Sequence, residues 1–285
     1  MKKPNMPNNT AALPSAAATR PTARPAPSAS SSATLADKGF AYSRGFFEDL
    51  VDSALQHAKK LGASDAAAHA SEGCGLSVSV RKGELENVER NRDKSLGITV
   101  HIGQRRGNAS TSDFSQQAIE QTAQAAFDIA RFTAEDPFAA LPDAADVAQE
   151  AEQRTDLELF FPWTITSEDA ARLAMVAEAA ALKVDKRITN SEGAGVSAQQ
   201  SHFFSAHTHG FRGGYASSRH SVSVSPIAGK GDDMQRDAWY SSQRDAADLA
   251  APEAIGRYAA ERALSRLKAR KIATTECAVL FESPL

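Results

Sequence analysis

Histidines are the residues of this 285-residue chain best suited to chemistry, and four of the seven, His202, His207, His209 and His220, lie close together in sequence. Two imidazoles and a third ligand suffice for zinc, and a neighbouring glutamate can activate a bound water. His207 and His209 share a strand parity, which predicts that both side chains face one side of a sheet. The stretch has no cysteine-rich or His-Glu pattern, and the seven histidines are followed by Ala, Ala, Ile, Phe, Thr, Gly and Ser. The four therefore read as polar surface of a sheet.

The other reactive residue types are weaker. In Ser217-Ser218-Arg219-His220-Ser221, adjacent residues of a strand point to opposite faces, so Ser and His neighbours cannot form a nucleophile–base pair. Cys74 stands between Gly73 and Gly75 with no base nearby in sequence. Asp232 and Asp233 follow Gly229-Lys230-Gly231 and read as a solvated hairpin tip. Gly213-Gly214 lacks the Lys-Ser or Lys-Thr of a phosphate loop. No catalytic, cofactor-binding or metal-ligating residue is assigned from the sequence.

The elements that would position these residues follow from periodicity. Leu76, Val78 and Val80 share one parity, as do Leu96, Ile98, Val100 and Ile102, and each set marks one face of a strand. With turns at Lys82-Gly83, Asn91–Lys94 and Gln104–Gly107, residues 74–113 read as a four-stranded antiparallel meander, entered by a strand over 66–72. Helical spacing predicts helices over 45–61, 116–132 with Ser115 as N-cap and Ile119, Ala123, Ala126 and Ile129 on one side, 167–184 capped by Thr166 or Ser167, and from Pro252 to about Leu267. Residues 187–244 read as further strands, and Ala278–Phe281 as a last one. The class is α+β: two helix–antiparallel sheet–helix units preceded by a disordered N-terminal tail.

Composition sets the bounds. Hydrophobic residues make up 42% and charged residues 24% of the chain, and the net charge is −3. These values fit a soluble globular protein and offer no electrostatic attraction for nucleic acid or an anionic membrane. No apolar run is long enough to span a bilayer. Two distant cysteines, Cys74 and Cys277, argue against a disulfide framework and fit a reducing cytoplasm. Residues 1–44 hold half of the 12 prolines and no acid before Asp37. They cannot bury enough apolar surface to offset their ordering entropy.

Several irregular segments carry a resemblance. They are Arg81-Lys82-Gly83-Glu84-Leu85-Glu86-Asn87-Val88-Glu89, Ser95-Leu96-Gly97-Ile98-Thr99-Val100, Asp156-Leu157-Glu158-Leu159-Phe160 and Asp185-Lys186-Arg187-Ile188-Thr189-Asn190-Ser191-Glu192-Gly193. His209-Gly210, Ser218-Arg219-His220-Ser221 and Asp233-Met234-Gln235-Arg236-Asp237 continue the series. In this order, from about residue 46 to the end, the chain resembles the PmbA (TldE) branch of the TldD/PmbA metallopeptidase family.

Composition sets off a tail over 1–44 and an acidic connector over 136–156, and the resemblance implies an N-terminal domain over 45–135, a central domain over 157–272, and the start of a truncated C-terminal β domain over 273–285. It also implies a role in proteolysis and peptide maturation. TldD-type members carry a His-Glu-x-x-x-His zinc helix, which this chain lacks. PmbA-type members generally lack it too, and look like the non-catalytic partner of a zinc-bearing TldD-type subunit. The expectations are therefore no cofactor in this chain, zinc in a TldD-type partner subunit, and unfolded or small peptides as substrate. Two alternatives are an independent metallopeptidase with its metal site elsewhere and a non-enzymatic binding module.

Overall fold

The computed structural model describes residues 39–148 and 157–282. The proline-rich segment and part of the acidic connector lie outside the described residues. Eight strands form one antiparallel sheet. They are β1 (Asp65–Arg81), β2 (Glu84–Ile102), β3 (Arg105–Thr111), β4 (Ile188–His207), β5 (Arg212–Gly213), β6 (Ala216–Ala228), β7 (Gln235–Arg236) and β8 (Trp239–Gln243). The order is β3-β2-β1-β4-β6-β7, with β5 on β4 and β8 on β6. The helices are α1 (Arg44–Lys60), α2 (Gln116–Phe132), α3 (Ser167–Leu182) and α4 (Pro252–Ser265).

The α+β class and the helix–strands–helix order hold, and the strands of both units join in this single sheet. β1 and β4 are the reason. At 17 and 20 residues they are long enough to serve both units. Even-numbered positions of β1 stay on one face throughout, from Ala66, Ala68 and Ala70 to Leu76, Val78 and Val80, all buried.

The near half of that face packs with β2, α1 and α2 into one core that includes Phe47, Leu96, Ile98, Ala126 and Phe204. The far half packs with β6, α3 and α4 into a second core around Val196, Val222, Ala177 and Ile255. All four helices of the described residues thus cover one face. The opposite face carries small polar side chains such as Ser77, Ser197, Ser205 and Ser223.

The meander has three strands where four were expected. Asn91–Lys94 is not a turn: Asn91, Arg92, Asp93 and Lys94 continue β2, each opposite a β1 residue from Gly75 to Glu72. The polar run looked like a loop because this part of β2 is exposed on both faces. The turn at Lys82-Gly83 is real, and both residues take positive φ, 54° and 77°, as a tight hairpin of this twist demands.

Helix limits fall within two residues of expectation, and Ser43, Ser115 and Thr166 cap α1, α2 and α3 through their side chains. Ile129 is 47% exposed, and Ala130 fills the core position in its place. Gly256 lets α4 approach α3, since a Cβ there would lie 2.1 Å from the Ala177 carbonyl oxygen. Ala278–Phe281 forms no strand; Val279, Leu280 and Phe281 are exposed with no ladder beside them.

Candidate functional site

Between the two apolar cores a polar strip crosses the helical face of the sheet. It arises from register. Glu72 on β1 faces His202 on β4, and Cys74 faces Arg92 on β2 and Gln200 on β4. Gln200 in turn faces Ser218 on β6, and Ala198 faces His220.

Glu72 is 1% exposed. Its carboxylate accepts the Ala41 N–H at 2.9 and 3.0 Å and the Tyr42 N–H at 3.1 Å. Arg92 donates to it at 3.0 Å and also reaches the Gly39 carbonyl at 2.9 Å. His202 Nε2 lies 3.4 Å away. A buried carboxylate needs such partners, and here they tie the chain entering α1 to the centre of the sheet. Phe40, placed in the tail by composition, is consequently buried at 3%. Phe40 and Phe47 also enclose the His202 ring, at centroid distances of 4.3 and 4.6 Å. Burial pushes the His202 imidazole below its usual pKa, and the Glu72 carboxylate opposes that shift.

The far end of the strip holds a second segment, residues 157–166. The Ser218 N–H donates to the Leu159 carbonyl at 3.0 Å, and Ser218 Oγ accepts the Phe161 N–H at 2.9 Å. His220 Nε2 lies 2.9 Å from the Phe161 carbonyl, and its ring meets Trp163 edge-on at 5.3 Å. Between the two straps lies a cleft of about 770 Å³, lined in part by Arg90, Asn91, Trp163, Gln199 and His220.

The four clustered histidines separate. His202 and His220 are buried on the helical face. His207 lies on the opposite parity and stacks on Phe211 at 5.6 Å. His209 sits beyond the end of β4, in the turn, so strand parity does not relate it to His207. Their rings are still 6.1 Å apart. The two nitrogens of His209 lie 2.8 Å from the Pro142 carbonyl and 2.8 Å from Asp65. The Pro142 carbonyl, with Asp65 adding to it, holds the His209 pKa above its usual value. Burial and the nearby His209 push that of His207 down.

Among the described residues no three His, Cys, Asp or Glu side chains form a group that could hold a metal. Cys74 is a free thiol 3.4 Å from Gln200 Nε2. Asp232 and Asp233 stand in an exposed turn. The strip is therefore arranged to bind and lock backbone segments: its carboxylate is saturated with donors and its imidazoles are covered.

No motif or spacing in the sequence marks Glu72 as part of the strip. The signal for Glu72 was its position, a charged residue on the buried parity after Ala66, Ala68 and Ala70.

Residues 70–130 match the model of PmbA/TldA metallopeptidase domain 1, and residues 161–267 that of the PmbA/TldA metallopeptidase central domain. The metalloprotease PmbA of Escherichia coli O157:H7 is 45% identical over 239 residues, which is 84% of this chain and 52% of that protein. The chain belongs to the PmbA/TldD family.

It spans about half the length of the curated PmbA relatives it matches. Two solved structures share the fold. One is a candidate modulator of DNA gyrase from Bacteroides thetaiotaomicron, with TM-score 0.72 and 23% identity over 79% of this chain and 51% of that one. The other is TldE from Thermococcus kodakarensis, with TM-score 0.59 and 13% identity over 77% and 47%.

Proposed function

We propose that this chain is the PmbA/TldE-like subunit of a TldD–TldE-type zinc metallopeptidase, acts in proteolysis and peptide maturation, and is itself non-catalytic. One observation carries the reading: a chain 45% identical to a metalloprotease PmbA contains no His-Glu pair. Peptide hydrolysis needs an activated nucleophile and a group that stabilises the oxyanion. His207 and His209 lie 6.1 Å apart, but among the described residues no three His, Cys, Asp or Glu side chains group closely enough to hold a metal, so no hydrolytic step is routed through them.

Zinc belongs, in this account, to the TldD-type partner, where it polarises the scissile carbonyl and activates water. The part played by this chain is positional. The open face of its sheet, lined by serines and glycines, presents a wall that an unfolded chain or small peptide can run along without side-chain selection. The strip of Glu72, His202, Ser218 and His220 holds that wall rigid from behind.

Two free cysteines suit a reducing cytoplasm, and no helix of the described residues is long and apolar enough to cross a membrane. The test is co-purification with a TldD-type subunit, followed by elemental analysis of each metal-replete subunit. Zinc should accompany the partner only. One zinc per copy of this chain, or no association with the partner, would overturn the reading.

A further inference from the structure

One row of side chains crosses the sheet at the floor of the cleft between the two straps. Register sets it. Arg90 on β2 faces Leu76 on β1, Leu76 faces Ala198 on β4, and Ala198 faces His220 on β6. Leu76, Ala198 and His220 are buried on the helical face, and direct pairing puts Arg90 on that face beside them. All four line the cleft.

Both ends of the row are polar and incomplete. Arg90 is exposed and makes no hydrogen bond or ion pair among the described residues. Arg92, two residues on, is engaged by Glu72 and the Gly39 carbonyl. Glu168, the acid of α3 that feels the Arg90 charge, is held by its own backbone N–H and by the Ser167 hydroxyl at 3.2 Å. At the other end, His220 is 1% exposed. Its Nε2 donates to the Phe161 carbonyl, which leaves Nδ1 of the neutral ring as an acceptor. That atom has no hydrogen-bond partner among the described residues, and a buried acceptor without a donor is unfavourable.

The middle of the row is apolar. Leu76 and Ala198 form the floor, and Trp163 and Ile165 pack beside them against the same core. Three strand spacings, about 14 Å, separate the strand of Arg90 from that of His220. A matching ligand has an anionic group at one end, an N–H donor at the other and an apolar body between. An alkyl carboxylate lacks the donor, and a dicarboxylate would set a second acceptor against His220. An extended peptide of about three or four residues has the right length and the right ends.

We propose that this cleft binds a short peptide with a free C-terminal carboxylate, laid across the strands with the carboxylate on Arg90 and the amino end at His220. The site is on the helical face, apart from the open wall, and needs no partner subunit. Its failure would leave the proposed subunit role standing.

Calorimetric titration of the 285-residue chain with the tetrapeptide Ala-Leu-Leu-Ala tests it. Binding should be saturable, and the C-terminal amide of the same peptide should bind about five- to tenfold more weakly, because the charge-assisted bond to Arg90 is lost. Arg90→Gln should bind acid and amide alike, at the strength with which the wild type binds the amide, which also shows that the variant is folded. Cys74 lines the same cleft and Cys277 is exposed elsewhere. Saturating peptide should therefore slow iodoacetamide labelling of Cys74 several-fold and leave Cys277 unchanged. No saturable binding, acid and amide bound alike by the wild type, a preference for the acid that survives in Arg90→Gln, or Cys74 labelling unaffected by peptide would each overturn the proposal.

Discussion

Replacing Glu72 with Gln keeps the shape of the side chain and removes its charge. The carboxylate accepts two backbone amides and one guanidinium, with His202 at the margin of hydrogen-bonding distance. A carboxamide offers one oxygen to these donors and turns an N–H₂ toward the rest. The amides of Ala41 and Tyr42 or the Arg92 guanidinium must then lose its partner.

A hydrogen bond to a charged group contributes about 1.5–3 kcal/mol, and breaking a buried pair costs about 3–5 kcal/mol. The Arg92 side chain is 51% exposed, so its share is reduced by solvent screening. The expected loss is about 3 kcal/mol. With an m-value of about 3 kcal/mol per M, the urea midpoint should fall by about 1 M. Arg92→Gln leaves the amides on Glu72 and should cost about 1 kcal/mol. Hydrogen exchange should report the same event locally, with the Ala41 and Tyr42 amides losing protection in Glu72→Gln. A midpoint shift below about 0.3 M, or unchanged protection at those amides, would refute the idea that this carboxylate ties the entry to α1 to the sheet.

Three further outcomes are expected. Ile98 is 1% exposed, so Ile98→Asp buries an unpaired charge and should cost more than about 4 kcal/mol and abolish soluble expression, while Thr99→Asp on the other face should be much milder. Gly256→Ala forces a Cβ against the α3 backbone and should cost about 1–3 kcal/mol in urea unfolding, whereas Ala254→Gly, where no such approach exists, should cost about 1 kcal/mol or less. The raised pKa of His209 makes its hold on the connector fully present below about pH 6.5 and lost as pH rises through the higher folded value. Protection factors at residues 138–146, taken relative to the pH-dependent intrinsic exchange rate, should fall across that window in the wild type and stay flat in His209→Gln.

The helices and strand parities were legible because each periodic set meets one core: Ile119, Ala123 and Ala126 fix α2, and Leu96, Ile98 and Val100 fix β2. Sheet connectivity was less legible. Residues 84–94 lack any buried face, so nothing in their polarity separates a strand from a loop, and only pairing with β1 decides it. Thr99 and His101 do lie on the opposite parity to Ile98 and Val100, yet His101 is 3% exposed, because a segment distant in sequence covers it. The histidine cluster shows the same limit: four neighbours along the chain divide between two faces and a turn. Glu72 was readable only as a charge at a buried parity, and its partners lie 20 to 130 residues away.

The role proposed for this chain is to support peptide hydrolysis without performing it. The direct measurement is digestion of an unfolded peptide by the purified chain, by a TldD-type subunit, and by the two together, each with and without a chelator. No cleavage is expected from this chain alone, and chelator-sensitive cleavage is expected once the TldD-type subunit is present with a version of this subunit as long as its PmbA relatives. Chelator-sensitive cleavage by the isolated chain that disappears in His207→Ala or His209→Ala would contradict it.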